Sequence, residues 1–370
     1  MSVAERPANA VWAARDRAFM RRALLLARRG WGRTAPNPMV GAVVVRDDKI
    51  IGEGWHAEYG GPHAEVMALH GAQERARGST LYVTLEPCAH TGNTPPCADA
   101  IVRAGVSRVV CAARDPSPVA AGGAQRLETA GIDVAFGLEE TDALELNASF
   151  FHALISTRPF ITLKLAISID GAIADASGRS RWLTGSAARR YVHHLRAGHD
   201  AVAVGAGTAI ADDPSLTVRS ARRPRVPPAR VVFDRRARLP LGSALVRGAR
   251  DVPTLVVVAD ASSDRARSLA AAGVRLVEAT GLEDALGDLR ALEIRSMLVE
   301  GGAELAGALM AHALVDRMII FQAPVVLGAG AQSAFAHIPA RALPDAPRWR
   351  VVGRRTIGQD LMTVYAPGAA

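Results

Sequence analysis

The sequence predicts two α/β domains in series, and three observations carry that expectation. With 370 residues, the chain has room for two or three domains of ordinary size. Helical and strand-like segments alternate through each half, which is the signature of α/β layering. Between the halves, Ser156-Thr157-Arg158-Pro159 breaks a helical run and a new strand begins at Phe160. Domains over residues 1–155 and 159–370 are therefore expected.

The elements of the first half follow in order. Residues 1–14 read as a loose extension, and a helix covers Asp16–Arg29, with Phe19, Ala23 and Leu26 on one face and Gly30 as its stop. Val40–Arg46 and Ile50–Trp55 are β-rich runs joined by an Asp47-Asp48 turn. A helix opens near His63, a strand covers Thr80–Leu85, a helix Cys97–Ala104 and a strand Val106–Cys111. Gly122–Ala130 and Ile132–Phe136 repeat the alternation, and Glu139–Leu154 reads as one helix.

The second half starts with a strand over Phe160–Ile167 and a turn at Asp170-Gly171. Ser186–Arg196 is helical, and Ala201–Gly205 is a strand ending in Gly205-Ala206-Gly207-Thr208. Arg219–Pro228, rich in Arg and Pro, is an exposed loop. Strands follow at Arg230–Phe233, Thr254–Ala259, Val274–Glu278 and Ser296–Glu300, with helices between them.

A formal net charge of +8 raises the question of a nucleic-acid partner. The charge is nearly all Arg, since Lys49 and Lys164 are the only lysines, and it is spread along the chain without a basic block. Aromatic residues make up 5%, and none interleave with basic ones, so stacking platforms are scarce. No nucleic acid is expected as a partner. Three cysteines, Cys88, Cys97 and Cys111, are poor material for a disulfide framework and suit a reducing, cytoplasmic setting. No apolar run reaches the ~18 residues of a membrane span, so no membrane partner is expected either.

One constellation carries chemistry. His63-Ala64-Glu65 lies at a predicted helix start, Pro87-Cys88 follows a strand, and Cys97 comes later. This matches the H-x-E…P-C signature of zinc deaminases, with a longer spacer before the second Cys. One imidazole and two thiolates fill three positions of a tetrahedral zinc site and leave the fourth for water. Glu65, two residues from His63, is placed to take that water's proton and pass it to the ring and the leaving amine. The alternative is a closed structural site with Cys111 or His90 as fourth ligand, but such a site has no use for Glu65 or Pro87. In the second half, Glu300-Gly301-Gly302-Ala303 opening a helix fits a phosphate at a helix N-terminus. No G-x-G-x-x-G follows a strand, and a plain turn explains the glycines equally well.

Longer motifs are more specific. Pro36-Asn37-Pro38-Met39-Val40-Gly41, His63-Ala64-Glu65 and the run from Thr84 to Cys97 closely resemble the deaminase domain of the bifunctional riboflavin deaminase–reductase family. Leu163–Gly171, Ser180–Thr184, Ala211–Arg219 and Val299–Gly302 resemble its reductase domain. Together the two resemblances span nearly the whole chain in the family's order. They imply a cytidine-deaminase-like three-layer α/β/α domain followed by a dihydrofolate-reductase-like α/β domain.

The resemblance also implies roles. Zn2+ on His63, Cys88 and Cys97 with Glu65 as proton carrier would deaminate 2,5-diamino-6-(5-phosphoribosylamino)pyrimidin-4-one, with Asn37, His56 and His90 holding it. NADPH would then reduce the ribosyl group of 5-amino-6-(5-phosphoribosylamino)uracil. Its contacts would be Ala166, Trp182, Thr208, Asp212 and a turn of Gly301, Gly302, Ala303, Glu304, Leu305, Ala306 and Gly307. Ser180, Arg196, Leu216, Arg219 and Glu300 would line the substrate site, with the two arginines as phosphate clamps. Asp212 and Glu300 are the carboxylates to test as proton donor. For Trp182 the plainer reading is core packing, and for Arg196 a solvated helix end. Asn93 stands where the family often carries Lys or Arg, and it brings no charge to a substrate phosphate. The partner is thus a small phosphoribosyl-pyrimidine, and a homo-oligomer is expected. Two rivals remain: a nucleic-acid-editing zinc deaminase with a non-catalytic C-terminal domain, and a structural zinc protein with a decayed reductase.

Overall fold

The computed structural model describes residues 12–92, 95–117 and 121–368. Asn93 lies outside them, as does most of the N-terminal extension. The chain divides into two compact units, Met1–Leu154 and Ile155–Ala370.

Unit one runs α1 (Ala14–Ala27), β1 (Gly41–Arg46), β2 (Lys49–Trp55), α2 (Ala64–Ala72), β3 (Thr80–Leu85), α3 (Cys97–Ala104), β4 (Arg108–Ala113), α4 (Gly123–Thr129), β5 (Asp133–Phe136), α5 (Glu140–Leu146) and α6 (Ala148–Ile155). Its sheet has the order β2-β1-β3-β4-β5. β1 is antiparallel to β2 and β3, whereas β3, β4 and β5 are parallel. Apolar residues alternate across the strands. Ala42 and Val44 join Leu81, Val83 and Val109 in one core with α2 and α3, while Val43 and Val45 join Tyr82 and Val110 in another with α1. Two cores on opposite faces of one sheet make the three layers.

The turn between β1 and β2 is built by Asp47 and Asp48, both with positive φ (51° and 57°), a conformation Asp tolerates better than most residues. The strand expected over Val106–Cys111 sits two residues later. The single helix expected over Glu139–Leu154 is in fact two, parted at Asn147. Asn147 is buried, and its side chain accepts from Met39 N–H (2.8 Å) and donates to Met39 C=O (2.9 Å). The amide serves the Met39 backbone, and the helix ends there.

Unit two contains β6 (Phe160–Ile167), β7 (Ala172–Ala174), α7 (Ser186–Ala197), β8 (Ala201–Gly205), α8 (Ala206–Asp212), β9 (Ala229–Phe233), α9 (Ala244–Arg247), β10 (Thr254–Val258), α10 (Asp264–Ala271), β11 (Arg275–Glu278), α11 (Leu282–Ala291), β12 (Ser296–Glu300), α12 (Ala303–Ala311), β13 (Arg317–Gln322), β14 (Gln332–Ser333), β15 (Trp349–Ile357) and β16 (Asp360–Pro367). Nine strands form one sheet, β11-β10-β9-β8-β12-β6-β13-β16-β15. Seven of them, from β11 to β13, are parallel, and β15–β16 is an antiparallel hairpin at one edge. The strands are buried on both faces: Ala203 and Val231 face one core, Val202, Val204 and Val232 the other. Gly205–Thr208, expected as a strand end, instead carries the chain directly into α8.

Candidate active sites

In unit one, the site is assembled by two helix starts and one strand end. His63 is the N-cap of α2, Cys97 is the first residue of α3, and Cys88 follows β3. Two glycines let α2 approach. A Cβ at Gly54 would lie 2.2 Å from the carbonyl oxygen of Ala64, and one at Gly52 2.1 Å from that of Ala68. With no side chain there, α2 lies directly on β2.

His63 Nδ1 lies 3.1 Å from Cys97 Sγ and 3.6 Å from Cys88 Sγ. The three ligand atoms fall within 4.8 Å of one another, and theirs is the one His/Cys/Asp/Glu cluster with metal-holding geometry among the described residues. Bonds of about 2.0–2.3 Å to zinc put tetrahedral ligands roughly 3.5 Å apart, so the donor set and its spacing fit the metal. Neither alternative fourth ligand joins them. Cys111 is fully buried in β4, packed in the apolar core. His90 is outside the cluster, and its Nδ1 is buried without a hydrogen-bond partner.

Glu65, 3% exposed in the first turn of α2, has its carboxyl pushed above the ordinary range by burial, only partly offset by His63. His56 is also buried. Its Nδ1 lies 3.1 Å from the Pro62 carbonyl oxygen and so carries the proton, which leaves Nε2 to accept from Asn37 Nδ2 at 3.4 Å. Burial lowers the His56 pKa and keeps the ring neutral. Its ring meets that of His63 edge-on, 5.4 Å between centroids.

One residue here carried no sequence signal of its own. Glu86, buried beside Cys88, accepts from the N–H of Ala124 (3.1 Å) and of Asp115 (3.4 Å), tying the strand end to the first turn of α4 and to the loop before it.

In unit two, a cavity of about 1370 Å³ opens at the carboxyl ends of β6, β8, β9, β10 and β12, the usual ligand position in parallel α/β sheets. It brings together Ala166, Ser180, Trp182, Arg196, Thr208, Asp212, Leu216, Arg219, Glu300 and Gly301–Leu305. Ala306 and Gly307 are not in its lining. The expected turn ends at Gly302, beyond which α12 is helical, and both residues are buried in it. A Cβ at Gly307 would come within 1.8 Å of the Ala336 carbonyl oxygen, so that position serves packing.

Gly301 and Gly302 have φ of 74° and 88° just before α12. A Cβ at Gly302 would stand 2.9 Å from Thr208 Oγ1. The bare backbone, the Thr208 hydroxyl and a helix N-terminus form a cradle that fits a phosphate of a nicotinamide dinucleotide. Trp182 is 70% exposed, which rules out core packing, and the guanidinium groups of Arg189 and Arg181 sit 4.6 and 5.8 Å from its ring centroid.

Arg196 is neither a solvated helix end nor a free clamp. Its Nε and Nη2 donate to the Glu300 carboxylate at 2.5 and 2.9 Å, and Nη1 donates to the Thr217 carbonyl at 2.9 Å. Arg219 remains exposed on the cavity, braced by Ser215 Oγ at 3.1 Å. Lys164, which sequence reasoning passed over, lines the cavity too, and β6–β12 register pairs it with Glu300. Burial lowers its pKa against the pull of Glu300. Burial alone would raise the Glu300 pKa, yet Arg196 and Lys164 hold it below the ordinary range. The one available clue to Lys164 was its rarity, as one of two lysines in an Arg-rich chain.

Two family models match the chain, one in each half. The family model for the cytidine and deoxycytidylate deaminase zinc-binding region matches residues 13–113, and that for the RibD C-terminal domain matches 159–363. The riboflavin biosynthesis protein RibD of Aquifex aeolicus is 41% identical over 353 residues, covering 95% of this chain and 98% of its own. The Escherichia coli protein of the same name is also 41% identical, covering 94% and 98%. Among solved structures, Acinetobacter baumannii RibD superposes with a TM-score of 0.82 at 42% identity, covering 96% of this chain and 99% of its own. A diaminohydroxyphosphoribosylaminopyrimidine deaminase/5-amino-6-(5-phosphoribosylamino)uracil reductase from Thermotoga maritima gives 0.83 at 35% identity, with coverage of 96% and 99%.

Proposed function

The chain belongs to the family of bifunctional deaminase–reductases of riboflavin biosynthesis, and on that premise we propose which residues carry each reaction and on what substrates. Residues 1–155 form the deaminase domain and residues 159–370 the reductase domain. The first removes the 2-amino group of 2,5-diamino-6-(5-phosphoribosylamino)pyrimidin-4-one as ammonia. The second reduces the ribosyl group of 5-amino-6-(5-phosphoribosylamino)uracil to ribityl. The substrate is a small phosphorylated metabolite, and the editing and decayed-reductase readings are set aside. Among the described residues, no helix is long and apolar enough to cross a membrane.

The observation that carries the reading is the His63–Cys88–Cys97 cluster with Glu65 beside it. Held by those three side chains, zinc would acidify a water and supply a nucleophile at neutral pH. Glu65 would take a proton from the attacking water and deliver it to the departing amine. A carboxyl whose pKa is raised by burial is suited to accept a proton and hold it near neutrality. Asn37, His56 and His90 are the polar groups that read the ring edge. A neutral His56 offers no charge of its own, which suits an uncharged pyrimidinone.

Bound in the second domain, NADPH would supply the hydride for C1 of the ring-opened, imine-like ribose. The Gly301-Gly302 turn and Thr208 would hold its phosphates, with Ala166, Trp182 and Asp212 as further cofactor contacts. Arg219 meets the substrate phosphate, with Ser180 and Leu216 shaping the pocket. Arg196 acts through Glu300, holding it ionised, so Glu300 orients rather than donates. Lys164, on the cavity wall in register with Glu300, is the proposed proton source for the reduction. Ammonia release by zinc-replete protein, compared with a Cys88→Ser variant, tests the reading. Activity that survives loss of the metal would defeat it.

A further inference from the structure

Arg219 stands on the irregular segment between α8 and β9. Leu216, 2% exposed, roots that segment in the apolar core. The stretch just after it is held by one face of α7. His193 and Arg196, three residues apart and so on the same face, both reach Thr217. Arg196 Nη1 donates to the Thr217 carbonyl at 2.9 Å. His193 Nδ1 lies 3.1 Å from the same oxygen and 3.3 Å from the backbone nitrogen of Arg219. His193 lines the cavity as Arg219 does, and nothing in the proposed reaction uses it.

These contacts decide where the imidazole carries its proton. Burial lowers the His193 pKa, and the charges of Arg196 and Arg219 lower it further against the pull of Glu300. The ring is therefore neutral near pH 7, and one nitrogen bears hydrogen. The Thr217 carbonyl already has a donor in Arg196. The Arg219 N–H has Nδ1 as its one acceptor among the described residues. A bare Nδ1 satisfies that N–H, whereas a protonated Nδ1 would set two donors face to face. The proton thus belongs on Nε2, which is accessible and has no hydrogen-bond partner among the described residues.

An N–H at that place meets a need that Arg219 leaves open. A phosphate monoester presents three terminal oxygens, and one guanidinium fork takes two of them. Arg219 Nη1 also donates to Ser215 Oγ at 3.1 Å, which fixes the direction of the fork. Arg196, the other cation on this face of α7, is occupied by Glu300 and Thr217. His193 is left as the donor beside the fork, tied through its other nitrogen to the backbone of the same arginine.

We propose that His193 is a substrate-binding residue of the reductase: Nδ1 fixes the backbone that carries Arg219, and Nε2–H donates to the phosphate oxygen that the Arg219 fork leaves. The inference rests on reading Arg219 as the contact to the substrate phosphate.

Two variants separate the two nitrogens. An Asn amide can reproduce a bond at the Nδ1 position, and a Gln amide one at the Nε2 position. NADPH oxidation by the full chain is followed with 5-amino-6-(5-phosphoribosylamino)uracil and with its dephosphorylated form, for wild type, His193→Asn and His193→Gln. NADPH affinity, measured by calorimetry, checks that each variant keeps its cavity. His193→Asn loses one hydrogen bond to a charged group, so its KM for the phosphorylated substrate should rise by roughly tenfold or more. Its kcat should stay within about twofold, because a ground-state contact has been removed. His193→Gln should keep a KM near that of wild type. For the dephosphorylated substrate, kcat/KM should be the same in all three proteins. A wild-type KM in His193→Asn, or equal losses on both substrates, would overturn the contact while leaving Arg219 in place. A wild type with no preference for the phosphorylated substrate would overturn the reading of Arg219 itself.

Discussion

Arg196 and Glu300 form a two-pronged ion pair in the floor of the reductase cavity, each side chain only 11% exposed, joining α7 to the end of β12. A sequence can show that an Arg and a Glu are present, but not that one occupies the other's fork. Removing one partner from such a pair strands a buried charge and costs about 3–5 kcal/mol. Glu300→Gln should therefore destabilise the reductase unit on that scale in urea unfolding, while Arg196→Met with Glu300→Met should recover much of the loss. The pKa of Glu300 is depressed in the folded state. Its stabilisation is complete above the unfolded value of about 4.3 and is lost as pH falls through the lower folded value. An acid limb of that sense should be present in wild type and missing from Glu300→Gln.

Lys164 gives a second pH signature, in rate rather than stability. Its ammonium is the proposed proton source and its pKa is lowered by burial. Reduction should fall as pH rises through that value, at a pH below the ordinary lysine value of about 10.4. Lys164→Met should reduce turnover and abolish the alkaline limb, whereas an unchanged profile would remove Lys164 from the mechanism.

The two anionic ligands of the reductase should separate by mutation. Arg219→Ala should raise the Michaelis constant for the phosphorylated substrate far more than that for NADPH, by a contact worth roughly 1.5–3 kcal/mol. Gly302→Val should do the reverse. Its backbone φ of 88° strains any side chain, and the new Cβ fills the space against Thr208. Kinetics with each ligand varied in turn distinguish the two.

Independent folding of the deaminase unit is a fourth expectation. Its two cores, one on each face of the five-stranded sheet, draw only on residues before 155. A fragment of residues 1–155 should be soluble, bind zinc and release ammonia at least in part. An insoluble or metal-free fragment would count against it.

Much of this was legible in the sequence, for identifiable reasons. His63, Glu65, Cys88 and Cys97 sit at helix starts and a strand end whose periodicity is plain, and metal chemistry restricts residue type severely. The interior strands from Thr80–Leu85 to Ser296–Glu300 announce themselves as apolar runs between turn residues. Legibility failed where tertiary contacts decide. Asn147 breaks a helix because Met39, far away in sequence, takes up its amide. β15 was missed because it is an edge strand with Arg350, Arg354 and Arg355 exposed, and no alternation of burial marks it. Arg196 and Lys164 took their meaning from Glu300, which the packing of α7 and the β6–β12 pairing bring alongside them.

The central claim is that this one chain performs two reactions in order, with Glu65 serving only the first. The most direct measurement follows ammonia release and NADPH oxidation together, on purified zinc-replete protein given the diaminopyrimidine. Wild type should release ammonia with or without NADPH, and should oxidise NADPH only once deaminated product is present. Glu65→Gln should retain its zinc yet lose ammonia release by at least ~10²-fold, while reducing pre-deaminated substrate at the wild-type rate. Undiminished ammonia release by zinc-replete Glu65→Gln, or NADPH oxidation that fails even with pre-deaminated substrate, would contradict the account.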